Sequence, residues 1–309
     1  MEQTTDSVRR ARPLLGTFVE ISAKGKALPE LEAAVEEAFA AIAKVHRLMS
    51  FQEHDSDISR LNREAYAHRV KVDPWTYRVL EFSLDFHRQS EGLFDIAVAP
   101  ALQQIGLLPD TPAAMSIPFS AYPANKGKKG EPLALLEGGT VRFHGSGTRI
   151  DLSGIAKGFA VDRAAEVLKY HGVLTGLVNA GGDLAAFGKT PYTIHIRDPR
   201  NPQHLLCELA VCNEALASTG TRFDPLNSCP VGGPAIIDPA TRQQARTVEG
   251  VTVRASSCVV ADALTKIVMI AGWDSTKLLD HYGASALIVS SDGSVHSSAN
   301  WKGALELAA

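Results

Sequence analysis

Residues 151–163, DLSGIAKGFAVDR, set an acidic side chain, two glycines and a lysine at the junction of a strand-like run and a helical pattern. Val141, Phe143 and Ile150 give the preceding stretch its apolar strand character, and the helical periodicity opens with Lys157 near its start. Such a junction offers free backbone N–H groups and a positive side chain to one point, which suits a phosphorylated ligand. Gly154 and Gly158 allow a close approach of backbone to that ligand. Lys157 also stands against the helix dipole, and a residue placed against local preference points to function. The plainer alternative is a surface lysine beside a tight turn.

Three further segments carry reactive residue types. The run 259–271, VVADALTKIVMIA, is apolar nearly all round, which predicts a buried helix. Asp262, Thr265 and Lys266 are its exceptions, and their i, i+3, i+4 spacing sets them on one face. A buried polar stripe needs a partner, because unpaired buried charge is costly. That partner is a metal ion, a ligand or simply the ion pair Asp262–Lys266. An exposed pair at this spacing contributes only about 0.3–0.5 kcal/mol, so stability alone explains little of the stripe. Residues 179–184, NAGGDL, put a double glycine and Asp183 after a strand, as a hairpin turn or a ligand-facing loop. In 91–96, EGLFDI, Gly92 makes a turn. Asp95 lies between apolar residues, either as a capping or core-bonded carboxylate or as a pocket wall. The histidines show no metal-binding spacing and receive no chemistry.

The elements that must position these residues follow from periodicity. A strand is expected over 14–22. A helix opens at Pro29 with Leu31, Val35, Phe39, Ile42, Val45 and Met49 on one stripe. A polar loop covers 52–56, and a second helix starts at Pro74 with Trp75, Val79, Phe82 and Phe86 inward. Residues 109–132 read as a loop or insertion whose Lys126, Lys128 and Lys129 form a solvated tip. Beyond them, strands are expected at 140–144, 175–180, 192–197, 205–211, 234–237, 251–255 and 286–290. Helices at about 156–171 and 258–271 interrupt them, the first stopped by Gly172. Helices first and strands later, without regular alternation, argue for an α+β fold.

Composition sets the bounds. The 309 residues are 45% hydrophobic and 21% charged with a net charge of −3, which gives no general attraction to nucleic acid or anionic membrane. Cys207, Cys212, Cys229 and Cys258 form no CxxC pair and read as structural thiols. No run reaches the ~18 apolar residues of a membrane span. The N-terminal stretch has basic residues but no apolar segment behind them and no lipobox cysteine. The sequence as written therefore reads as cytoplasmic, with a periplasmic location open if the chain is trimmed.

Taken in order, these segments resemble the ApbE family of FAD:protein FMN transferases. Residues 12–17, RPLLGT, resemble its R-x-M-G-T strand. Met49-Ser50 with 56–62, SDISRLN, resembles its M-S-x-x-x-x-x-S-E-I-S-R-L-N stretch, and Gly92-Leu-Phe-Asp95 its G-A-F-D. Residues 151–163 resemble D-L-S-A-I-A-K-G-Y-A-V-D-R, the most specific of the matches. Gly181-Gly-Asp-Leu184 resembles G-G-E/D-L, Ile237-Asp-Pro239 the I-D-P of H-I-I-D-P, and Ala261-Asp-Ala-Leu264 A-D-A-L. The resemblance implies one α+β, T-fold-like flavin transferase domain over 1–309, with two lobes around an FAD cleft. It also implies a Mg²⁺-dependent cleavage of the FAD pyrophosphate. FMN passes to a Thr or Ser hydroxyl of a target flavoprotein within D-x-x-[ST]-G-A-[ST], and AMP leaves. By motif position the FAD contacts are Leu15, Gln52, Phe94, Asp95, Asp151, Lys157 and Ile237. The metal ligands are Asp262, Thr265 and the carbonyl of Gly154, and the catalytic pair is Asp262 with Lys266.

The sequence departs from the family pattern at three places. Gln52 stands where the family has a flavin-stacking Tyr, with Phe51 beside it. Ala235 stands where the family has the His before I-I-D-P. Lys266 replaces the Thr four residues after the metal Asp. A lysine ammonium has three donors and no acceptor, so it cannot ligate Mg²⁺ while charged. It could instead occupy the cation position, paired with Asp262. The alternatives to a transferase with a rewired metal site are an FAD- or nucleotide-binding protein without transfer and an FAD pyrophosphatase.

Overall fold

The structure, a computed structural model, describes residues 6–109, 130–221 and 235–301. Lys126, Lys128, Lys129, Cys229 and Pro234, with most of the expected 109–132 loop, lie outside the described residues.

The chain opens with a hairpin, β1 (Ser7–Leu14) and β2 (Thr17–Lys24), followed by helices α1 (Leu28–Met49) and α2 (Asp57–Glu64). The short strand β3 (Val70–Lys71) leads to α3 (Pro74–Gln89) and α4 (Ala99–Gln104). After β4 (Leu133–Leu136) and β5 (Thr140–Phe143) come α5 (Ala156–Tyr170), β6 (Thr175–Ala180), β7 (Asp183–Phe187), β8 (Tyr192–Asp198), β9 (Asn201–Val211) and β10 (Glu214–Gly220). The chain continues through β11 (Val248–Ala255), α6 (Cys258–Ala271), α7 (Thr276–His281), β12 (Ser285–Ser290) and β13 (Val295–Ser297). The expected α+β class holds.

The frame is an antiparallel sheet of eight strands in the order β1-β2-β6-β7-β10-β11-β12-β13, and its side chains alternate between two cores. On one face Val178, Ala185, Ala215, Ala217 and Ile288 pack under α1, α5 and α6. On the other face Leu177, Leu184, Leu216, Leu287 and Val289 pack against Ile196, Leu206, Leu209 and Val211 of the β8–β9 hairpin. Both faces are thus covered, which is why several of these strands are apolar at consecutive positions.

The helix from Pro29 is seen as expected, with Leu31, Val35, Phe39, Ile42, Val45 and Met49 buried. Helices α5 and α6 also fall where periodicity put them. Four expectations change. The expected strand 14–22 is two strands joined at Leu15-Gly16, both at positive φ (56° and 70°), as a tight hairpin turn requires. Residues 52–56 do form a loop, but α2 follows at once; its N-cap Ser56 accepts from Ser59 N at 3.0 Å. The inward face of α3 carries Thr76, Val79, Leu80, Ser83 and Phe86, while Trp75 and Phe82 are only half-buried at its flank. Residues 235–237 form no strand; Ile237 makes a single bridge to Gln244.

Candidate active site

Helices α5 and α6 cap each other. Neither has a side-chain cap of its own at its N-cap position. Asp162, on α5, accepts from Cys258 N at 2.8 Å and Val259 N at 2.9 Å, closing the start of α6. Asp262, on α6, accepts from Gly158 N at 2.9 Å in the first turn of α5. These carboxylates satisfy N–H groups that a helix start leaves open, and they favour the dipole of the helix they reach. Gly158 makes the crossing possible. A Cβ there would lie 2.4 Å from the Cys258 carbonyl oxygen and 2.7 Å from Asp262 Cβ.

The caps place four charges in one buried corner. Asp183, the first residue of β7 and fully buried, lies 2.7 Å from Lys157 Nζ. The approach is off the hydrogen-bonding direction, and neither Asp183 oxygen has a hydrogen-bond partner among the described residues. Burial alone would lower the Lys157 ammonium, but Asp183 and then Asp262 outweigh it and hold it above the usual lysine range. Burial, with help from Asp262, raises the Asp183 carboxyl, and Lys157 and Lys266 oppose that rise. Lys266 pairs with Asp262 Oδ1 in a short contact and also reaches Thr265 Oγ1 at 3.1 Å and Thr219 Oγ1 at 3.4 Å. Thr265 Oγ1 itself donates to the Asp262 carbonyl at 2.7 Å and lies 2.9 Å from Thr219 Oγ1. The stem of Lys266 runs along Gly154: a Cβ on that glycine would sit 3.5 Å from Lys266 Cγ and 3.6 Å from Cε.

Asp151 stands at the entry to α5. It is buried, and burial raises its carboxyl against the bonds that Ser153 donates to it. Its own N–H donates to the Ile96 carbonyl at 2.8 Å, which ties the Phe94-Asp95 loop to this corner. Phe94 is buried and packs at a tilt on Phe86, with ring centres 5.7 Å apart. Asp95 is half-buried and accepts from Ala97 N at 2.8 Å. The turn at Leu15 joins the same corner from another side: a Cβ on Gly181 would lie 2.4 Å from Thr17 Oγ1, so the Leu15-Gly16-Thr17 turn abuts the Gly181-Gly182 turn before Asp183. A leucine at positive φ costs about 1–2 kcal/mol, strain of the kind that collects at sites.

Two expected contacts sit apart. Gln52 is exposed, and its backbone N–H bonds locally to Ser50 Oγ at 3.2 Å, while neighbouring Phe51 packs on the core. Ile237 is buried with Ala101 and Leu102 in a small apolar group of its own, and Ala235 is exposed. No sequence pattern marks Thr219 or the capping role of Asp162. Strand β10 reads EALASTG, with too few β-branched or aromatic residues to signal a strand.

As placed, the expected ligands do not fit a divalent ion. One Asp262 oxygen is held by Lys266 and the other by Gly158 N, and Thr265 is engaged with three neighbours. Asp183 offers no open position either, since both its oxygens are buried and Lys157 Nζ lies 2.7 Å from Oδ2.

The profile of the ApbE family matches residues 15–288. The chain belongs to the ApbE family. It is 28% identical over 315 residues to the FAD:protein FMN transferase of Treponema pallidum, covering 94% of this chain and 86% of that protein. It is 26% identical over 278 residues to the FAD:protein FMN transferase of Vibrio cholerae, covering 88% and 83%. Among solved structures, the ApbE protein of Thermotoga maritima matches with a TM-score of 0.82 at 26% identity, over 95% of this chain and 97% of that one. Within this ApbE fold no helix among the described residues is long and apolar enough to cross a membrane.

Proposed function

We propose that this chain transfers FMN from FAD to a Thr or Ser hydroxyl of a target flavoprotein and releases AMP. The observation that carries this reading is the corner where α5 and α6 cap each other, with two ammonium groups beside the entry of residues 151–158. Phosphoryl transfer rests on positioning and charge neutralisation, and this corner supplies both. The acceptor oxygen bonds the FMN phosphorus as the bridging P–O bond to AMP breaks. The bridging electrons leave on AMP, and the hydroxyl proton passes to water. Lys157 and Lys266 offset the pyrophosphate charge, and Asp183 and Asp262 hold the two ammonium groups in place. Leu15, Asp95 and Asp151, which meet around this corner, are the residues for the FAD side, and Ile237 stands away from them.

Ala235 in place of the family His, together with the poor fit to a divalent ion, favours a second reading: an FAD-binding protein of the same fold without transfer. One experiment separates the two. The protein is mixed with FAD, Mg²⁺ and a target bearing D-x-x-[ST]-G-A-[ST], and the target is weighed by mass spectrometry. The transferase reading predicts an FMN adduct and free AMP. Tight FAD binding with neither product selects the second reading, and FMN plus AMP without adduct selects a pyrophosphatase.

A further inference from the structure

We propose that the Lys266 ammonium is the resident cation of this cleft, so that the chain engages its dinucleotide ligand without a divalent ion at Asp262. The proposal rests on the transferase reading for the identity of that ligand, but the cation position is a property of the chain alone.

The geometry points to substitution. The oxygens that surround Lys266 Nζ belong to Asp262, Thr265 and Thr219, and two of these residues are the ones expected to ligate a metal. An ammonium has three N–H donors, and three acceptors meet them here. The stem lies along Gly154, the residue whose carbonyl is the third expected ligand. Thr219 is the longest of the three contacts at 3.4 Å, and it is the one a phosphate oxygen can replace without breaking the ion pair.

Charge points the same way. Lys157 and Lys266 balance Asp183 and Asp262, so the corner is neutral without any ion. In Lys266→Thr the same corner carries one excess negative charge, an added hydroxyl and an open carboxylate oxygen, which are attributes of a hard-cation site. A purely structural salt bridge would leave FAD binding in EDTA indifferent to this exchange.

The test uses Mn²⁺ as the probe, titrated into the full chain by electron paramagnetic resonance, with and without FAD. Wild type is expected to hold no protein-bound Mn²⁺ in either case. Lys266→Thr is expected to gain one site, and Asp262→Asn in that background to remove it. Wild-type FAD affinity should change by less than about twofold between EDTA and Mg²⁺, while that of Lys266→Thr should fall by about tenfold in EDTA. Lys266→Arg keeps the charge and should bind no Mn²⁺. Stoichiometric Mn²⁺ on wild type that Asp262→Asn releases would overturn the proposal, and so would a folded Lys266→Thr that gains no site. The wild-type titration decides even if that variant does not fold. If FAD fails to bind at all, the transferase reading falls, and the titration without FAD still decides the cation position.

Discussion

The two sides of the proposed cleft are held in different ways. On the α5–α6 side the charged groups also hold the fold together. Asp162 and Asp262 cap helices, Asp183 faces Lys157, and Lys266 faces Asp262. On the other side Gln52 is exposed in a loop with a local backbone bond, and Ile237 belongs to a small apolar group around α4. A knitted corner tolerates change only where charge is conserved, and Lys266 meets that condition by bringing its own positive charge to Asp262. A loop position carries no such condition, so Gln52 and Ala235 could drift without cost to the fold.

The contrast can be broken by substitution, most severely at the corner. Asp262→Ala strands Lys266 and frees Gly158 N, and it should cost about 3–5 kcal/mol in urea unfolding. Gly158→Ala pushes a methyl group into the α6 backbone and should cost about 1–3 kcal/mol by the same measurement. A cost near zero in either case would mean that the helix crossing is looser than described. Asp162→Ala removes a cap and should cost about 0.5–2 kcal/mol.

Asp162 also gives a pH signature. Burial pushes its carboxyl up to about 6, against the two backbone N–H groups that hold the charged form. A carboxyl raised in the folded state favours folding when protonated. Its contribution is full below about pH 4 and is lost as pH rises through about 6. Asp162→Asn should remove that dependence, read as a flatter profile of unfolding free energy against pH. The smallest effect belongs to the loop side. Gln52→Tyr should tighten FAD by about 1 kcal/mol through stacking, measured by flavin fluorescence, with no change in stability. A large loss of stability there would erase the distinction between the two sides.

How much was legible in the sequence follows the same division. Helices α5 and α6 were readable because their apolar periodicity is long, and in α6 the charged exceptions are only Asp262 and Lys266. The lysine set against the helix dipole at 157 stands out in the sequence, and Asp183 is the carboxylate that compensates it. The turn at Leu15-Gly16 was hidden because leucine is a poor choice for positive φ, so LLGTFVEIS read as one strand. Helix α2 escaped because its eight residues hold only Ile58 and Leu61 as apolar signal. The Ile236-Ile237 pair suggested a strand, but its neighbourhood folds into a small turn around Asp238, which accepts from Ala240 N and Thr241 Oγ1. The mutual caps were not readable, because they join residues about a hundred positions apart and no local pattern encodes them.

The most direct measurement of the central claim is a crystal soaked with FAD and Mn²⁺, with diffraction collected at the manganese edge. The expected result is Lys266 Nζ against a pyrophosphate oxygen and no anomalous peak at Asp262. A manganese peak coordinated by Asp262 and Thr265, with Lys266 turned away, would contradict it.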